Sequence, residues 1–319
     1  MGEPISRLNP KIESRTKRDF LVLAIKLVLS VVMFLKEKEH KKRGKKPYDY
    51  RIILALNILR VLFCKNYFDY EIETRGDVRF CKAFNMMILP GKSTLQRSMK
   101  LISPRLLREL NFILLSDFVK TKLNLLIDAS GISIIGKSIW FCLRLKQRLT
   151  RKDCDKIHLA VCSDVLFVMN WRITKGKKHD CPFFVILLKP FRILGTILAD
   201  KGYLSRKNFQ FVFGKNGALF APFKSNSTCK PKSHPAWKFA FNLWKKFNIS
   251  YMNIYHQRSK IEAIFHALKE RFSDKLYGRS ASARRKEMAF RFIAYNLRLL
   301  IYFRYANENN INLWVRAKK

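Results

Sequence analysis

Positive charge constrains this chain more than any other feature. Its 319 residues carry 64 Lys and Arg against 23 Asp and Glu, a formal charge of +41 at pH 7. A compact body with that excess repels itself unless a polyanion shares its surface. Nucleic acid is the first candidate, through counterion release on the phosphate backbone, and an anionic membrane surface is the second. With 48% hydrophobic residues and only 12 Gly and 10 Pro, the chain fits neither a disordered nor a fibrous class. The converse is equally useful. Carboxylates are scarce, so each one set in an apolar segment needs a reason.

The apolar run Phe20–Leu35 is shorter than the roughly 20 residues a bilayer span requires, and Lys26 interrupts it. A basic stretch, KEKEHKKRGKK, follows in place of a small-residue cleavage site, which argues against a secretory signal. A buried helix is expected there, with no stable membrane association. The seven cysteines (64, 81, 142, 154, 162, 181 and 229) form no C-x-x-C pair and no group with His at zinc spacing. Reduced, buried thiols in a cytoplasmic protein are expected.

Along the chain, residues 1–19 read as a basic arm and 20–120 as a helical region, with a charged linker at 36–46. Apolar helices are predicted over 20–35 and after Pro47. Arg97, Lys100, Arg105 and Arg108 alternate with apolar positions on short helices broken by turns, a pattern that resembles a helix-turn-helix and suits DNA phosphates. Gly91-Lys92-Ser93 ends like a phosphate-binding loop, but Met86 stands where that loop needs its first glycine. Ser93 or Thr94 is the expected helix cap. From residue 122 the texture changes. Leu123–Ile135, Ser138–Leu145, Lys156–Ser163 and Leu166–Thr174 read as an antiparallel meander, followed by a helix at 181–188, a strand at 193–199, a helix at 204–212 and a strand at 218–223. Helices follow at 235–247, 254–272 and 282–304. That order predicts an α/β fold, a mixed sheet flanked by helices, over 121–305, with a tail at 306–319.

Three carboxylates stand out. Asp128 follows Leu125-Leu126-Ile127 in the first strand, and Asp200 closes a later one. Active crevices of open sheets lie at such strand ends. Glu262 lies on an amphipathic helix, where Tyr255, Arg258, Glu262 and Lys269 form a polar stripe beside the apolar face. Acids on separate elements can hold two divalent cations for phosphoryl transfer, and hard oxygen donors suit Mg²⁺ or Mn²⁺ better than zinc. Asp164 and Asp180 remain alternatives for one of these places. His256 and His266 are too far apart in sequence to make a metal pair. Trp237 and Trp244, seven residues apart, are expected to pack in the core, and Asn296 reads as a core amide satisfied by backbone.

The spacing Y-x2-R-x3-E-x6-K, carried by Tyr255, Arg258, Glu262 and Lys269, resembles the signature of DDE transposases from prokaryotic insertion sequences. Asp128-Ala129-Ser130-Gly131-Ile132 and Ala199-Asp200-Lys201-Gly202-Tyr203 resemble that family's first and second Asp segments, and Ile293-Ala294-Tyr295-Asn296-Leu297 its closing helix. The resemblance implies a ribonuclease H-like catalytic core behind an N-terminal all-α basic DNA-binding region. It implies that Asp128, Asp200 and Glu262 hold two Mg²⁺ (or Mn²⁺) ions. The reaction would be nicking at transposon ends, then attack of the freed 3′-OH on target DNA. Tyr255, Arg258 and Lys269, with Lys201, Arg97 and Lys100, would contact double-stranded DNA, both terminal inverted repeats and target. A homodimer is implied in the synaptic complex, and the nucleoid is the implied location. Family relatives with a β-rich insertion before the Glu differ from this chain, where Lys224–Asn253 leaves room only for a small helical insert. A structure-specific nuclease or resolvase of the same fold, or a degenerate DNA-binding copy, are the alternatives.

Overall fold

The computed structural model describes residues 6–37, 47–134, 154–229 and 234–316. The chain divides into two compact units, one of residues up to Leu114 with those from Ser280 onward, the other Leu115–Arg279.

The first unit is helical. It comprises α1 (Pro10–Thr16), α2 (Phe20–Val32), α3 (Tyr50–Leu62), α4 (Tyr67–Thr74), α5 (Val78–Phe84), α6 (Lys92–Ser98) and α7 (Pro104–Leu114), with the last helix of the chain, Ala281–Glu308. Short polar side chains start several of these helices: Asn9, Asp49, Asn66 and Asp77 each accept a hydrogen bond from a backbone N–H of the following turn. Helix α6 differs from expectation. Gly91 is its N-cap and neither Ser93 nor Thr94 caps it, because the helix already begins at Lys92.

Helix α2 buries Ala24, Ile25, Leu27, Val28, Val31 and Val32 on one side while Lys26 faces solvent. Among the described residues no helix is long and apolar enough to cross a membrane. The central part of Ala281–Glu308 is buried nearly all round, and α2, α3 and α7 pack on it. Within it Asn296 donates from Nδ2 to Asn111 Oδ1 at 2.8 Å, so an amide on α7 is a partner where backbone was expected. Strand β1 (Ser6–Leu8) pairs antiparallel with Trp314–Arg316, and Ile12 is fully buried. The helix expected to close the catalytic core thus groups with the N-terminal residues, and the α/β unit ends near 279 rather than 305.

The second unit holds a mixed sheet. Strands β2 (Leu123–Ile134), β3 (Cys154–Cys162) and β4 (Val168–Lys175) form the antiparallel meander, and β5 (Leu194–Ala199) and β6 (Ala218–Phe220) continue the sheet parallel to β2, in the order β4-β3-β2-β5-β6. The two-residue β7 (Lys275–Leu276) pairs with the end of β2. Leu123, Leu125, Leu126 and Ile127 are all buried, as a central strand covered on both faces demands. The predicted strand at 138–145 lies outside the described residues. Asp164 sits in the β3–β4 hairpin turn, where Ser163 Oγ donates to its carboxylate.

Helices α8 (Ser116–Val119), α9 (Cys181–Leu188), α10 (Arg206–Phe213), α11 (Pro235–Lys246), α12 (Asn248–His256) and α13 (Lys260–Phe272) complete this unit. The insert is helical, built of α11 and most of α12. Trp237 is buried against Phe209 and Phe223, and Trp244 lies over Phe223 and Phe241, so both pack. The helix predicted over 254–272 is interrupted: a 3₁₀ turn at Gln257–Ser259 separates α12 from α13. No disulfide joins the six described cysteines to one another, and of these only Cys162 is buried, which corrects the expectation of buried thiols generally.

Tyr251 anchors α12 to the sheet. Its hydroxyl accepts from the Ala221 N–H at 3.1 Å and donates to the Ala221 carbonyl at 3.0 Å, just beyond β6. Replacing Tyr251 with Phe strands both buried backbone groups and should cost about 1–3 kcal/mol in a urea titration.

Candidate active site

The sheet register brings the first two acids together. Ile127 of β2 pairs in parallel with Ala199 of β5, so Asp128 and Asp200 are the next residues along on adjacent strands. Neighbouring strands run about 4.8 Å apart, and side chains at matched positions share a face. Asp200 then begins a 3₁₀ turn, Lys201–Tyr203, without a side-chain capping bond, and Tyr203 N–H donates to the Asp200 carbonyl at 2.9 Å. Lys201 is exposed beside it.

The interrupted helix supplies the rest. Tyr255 is buried near the end of α12, Arg258 occupies the 3₁₀ turn, and Glu262 lies in the first turn of α13. Arg258 donates from Nη1 to Asp128 Oδ2 at 2.6 Å, from Nη2 to Glu262 Oε1 at 3.3 Å and from Nε to the Tyr255 hydroxyl at 3.2 Å. One guanidinium therefore joins an acid of the central strand to an acid of the helix. Asp128 is largely covered, whereas the Glu262 side chain is 64% exposed. Two turns along α13, Lys269 Nζ donates to Ser130 Oγ at 2.9 Å, on the same strand as Asp128. Ser130 was not expected as a partner, and only the face-sharing of positions 128 and 130 on a strand pointed to it.

Covering Asp128 has an electrostatic consequence. Burial raises the Asp128 carboxyl above its ordinary range; Arg258 opposes the rise, and Asp200 and Glu262 add to it. Burial also raises the Tyr255 phenol, so that side chain enters the site as a neutral hydroxyl. Beyond Asp200 lies Asp180. A Cβ placed on Gly202 would sit 3.4 Å from Asp180 Oδ2 and 3.8 Å from Asp200 Oδ2, so both acids border one spot. Asp180 is paired with Lys156 at 2.6 Å, which separates its role from that of the other three acids. Arg97 and Lys100 are exposed on and just after α6, in the first unit. His256 and His266 are both exposed, and His266 lies 3.6 Å from Glu270.

The family model of the Transposase DDE domain matches residues 121–297, more than half of the chain. The chain belongs to the DDE transposases. No curated protein and no solved structure matches it. This transposase family generally uses divalent metal ions, and the site can be tested for that use. Among the described residues no three His, Cys, Asp or Glu side chains are grouped to hold a metal as they stand, and Arg258 bridges Asp128 and Glu262. The donor set nevertheless fits: carboxylate oxygens suit a hard divalent cation, and the mutual repulsion felt at Asp128 is what such a cation relieves.

The raised Asp128 carboxyl has a stability consequence. Its folded-state value lies above the unfolded one, so its contribution favours folding in acid and is lost as pH rises through the folded value. In EDTA at pH 7, Asp128→Asn should melt above the wild type. The gap should close as pH falls below the ordinary carboxylate value of about 4. Melting curves across pH check both halves.

Proposed function

We propose that this transposase nicks DNA at the ends of its element and joins the freed 3′-OH to target DNA, with Asp128, Asp200 and Glu262 holding two Mg²⁺ or Mn²⁺ ions. The observation that carries the reading is the convergence of Asp128 and Glu262 on Arg258, with Asp200 one register step from Asp128. Three acids this far apart in sequence meeting around one half-buried cation are what a phosphoryl-transfer site needs. Bound divalent metal would supply Lewis-acid activation of the attacking oxygen and charge stabilisation on the leaving one.

The chain's own residues do the positioning. The Arg258 guanidinium neutralises Asp128 and Glu262 when DNA is away, and it is the group within reach of a phosphate that enters between them. Lys269, held at Ser130, offers a second cation on the same side. The neutral Tyr255 hydroxyl accepts from Arg258 Nε, which orients the guanidinium, and its own proton would serve an oxygen of the DNA backbone. Lys201, exposed after Asp200, meets the strand beyond the scissile bond. Arg97 and Lys100 serve the helical region in gripping terminal inverted repeats. Two ends must meet for joining, so a homodimer forms in the synaptic complex, at the nucleoid of the cytoplasm.

Asp128→Ala, Asp200→Ala and Glu262→Ala should each abolish nicking of end DNA while leaving gel-shift affinity within about threefold, since phosphate contacts come from the cations. Full activity in all three would end the assignment. A protein that hydrolyses pre-nicked ends without joining them is a nuclease or resolvase instead. Arg97→Ala and Lys100→Ala should weaken end binding about equally across sequences and flatten its salt dependence by about one phosphate each.

A further inference from the structure

A second polar cluster stands directly behind Asp200, and the chemistry proposed above does not use it. His158 on β3 is completely buried. Its Nδ1 lies 3.4 Å from the Tyr203 hydroxyl and its Nε2 3.0 Å from Thr174 Oγ1, and its ring stacks obliquely on Phe183 at 4.6 Å. Asp180 Oδ1 is 3.6 Å from the same Nδ1 and 2.6 Å from Lys156 Nζ. Burial lowers the imidazole to about 4, so at neutral pH one ring nitrogen donates and the other accepts.

Polar groups at this depth are costly, and an apolar core could fill the same volume more cheaply. His158 is the residue that joins them, and through it the cluster reaches Tyr203, also fully buried, the last residue of the 3₁₀ turn that Asp200 opens. Three attachments hold that residue. Its N–H donates to the Asp200 carbonyl at 2.9 Å, its own carbonyl accepts from Asn208 Nδ2 at 2.7 Å, and its hydroxyl meets His158. Asp200 itself makes no capping bond. Its carboxylate direction is therefore set by the backbone of the turn, and the turn is set by Tyr203.

We infer that Tyr203, held by His158, which itself faces the Asp180–Lys156 pair, is a positioning residue that fixes the Asp200 carboxylate for divalent-metal binding. This inference rests on the metal-binding reading of Asp200. Residues that orient metal ligands through hydrogen bonds typically change metal affinity about 10–100-fold when removed.

The test is Mn²⁺ binding by the full-length protein, followed as loss of the free-ion electron paramagnetic resonance signal, with Tyr203→Phe, His158→Phe and Asp200→Ala beside the wild type. Tyr203→Phe keeps the buried ring and removes only the hydroxyl. It should weaken Mn²⁺ binding about 10–100-fold. The nicking kcat should fall with the KM for end DNA unchanged, and raised Mn²⁺ should restore the rate. His158→Phe should weaken the ion in the same direction. Wild-type Mn²⁺ affinity in Tyr203→Phe overturns the proposal, whether or not its melting temperature drops, since a purely structural hydroxyl would alter melting alone. If Asp200→Ala abolishes the binding while Tyr203→Phe leaves it intact, only the positioning role falls. If Asp200→Ala binds Mn²⁺ like the wild type, the metal reading of Asp200 fails and this inference with it.

Discussion

The catalytic half of the molecule depends on one ion-pair arrangement, in which Arg258 is shared between Asp128 and Glu262. Two carboxylates brought together in a partly covered cleft repel each other, and a third, Asp200, adds to the repulsion. A guanidinium is the side chain best suited to this task, because its fork reaches two oxygens at once and its charge is not lost in any ordinary pH range. The same guanidinium prefers phosphate oxygens with equal geometry. Under the proposed function, a cleft held closed by Arg258 is also one prepared for a phosphodiester, with the same cation serving the resting site and the bound DNA.

The sheet explains why that arrangement is reproducible. Asp128 is fixed by a central strand paired on both sides and buried on both faces, so it has little freedom in register. Asp200 is fixed through its turn, and the helical residues through Tyr251, which ties α12 to the sheet edge. The least constrained acid is Glu262, on the solvent side of α13. On the proposed metal-binding reading, adjustment of the site would fall to that side chain and to Arg258, with the two aspartates held by the sheet and its turn.

Much of this was legible in the sequence, for identifiable reasons. Apolar β-branched runs with turn residues between them pointed to the meander. Scarcity of acid narrowed the candidates, and the motif resemblance chose Asp128, Asp200 and Glu262 over Asp164 and Asp180. The parts that were not legible depend on contacts remote in sequence. A continuous helix through 254–272 was expected because periodicity persists across Gln257–Ser259, yet the 3₁₀ turn there is what swings Arg258 toward Asp128. The polar surroundings of Tyr203 were hidden because Lys156 and His158 of β3 meet Asp180, at the start of α9, only once the chain has folded. The pairing of Ser6–Leu8 with Trp314–Arg316 was invisible for the same reason.

That last pairing bears on biosynthesis. The α/β unit is one uninterrupted stretch, Leu115–Arg279, whereas the helical unit is assembled from both sides of it. A ribosome finishes every residue of the α/β unit before the long helix Ala281–Glu308 has emerged to occupy the middle of the other. Domains acquire structure in the order they are released. The nascent chain therefore passes through an interval in which its enzyme half is formed while the apolar faces of α2 and α3 still wait for a cover, and that interval is when a chaperone has most to do.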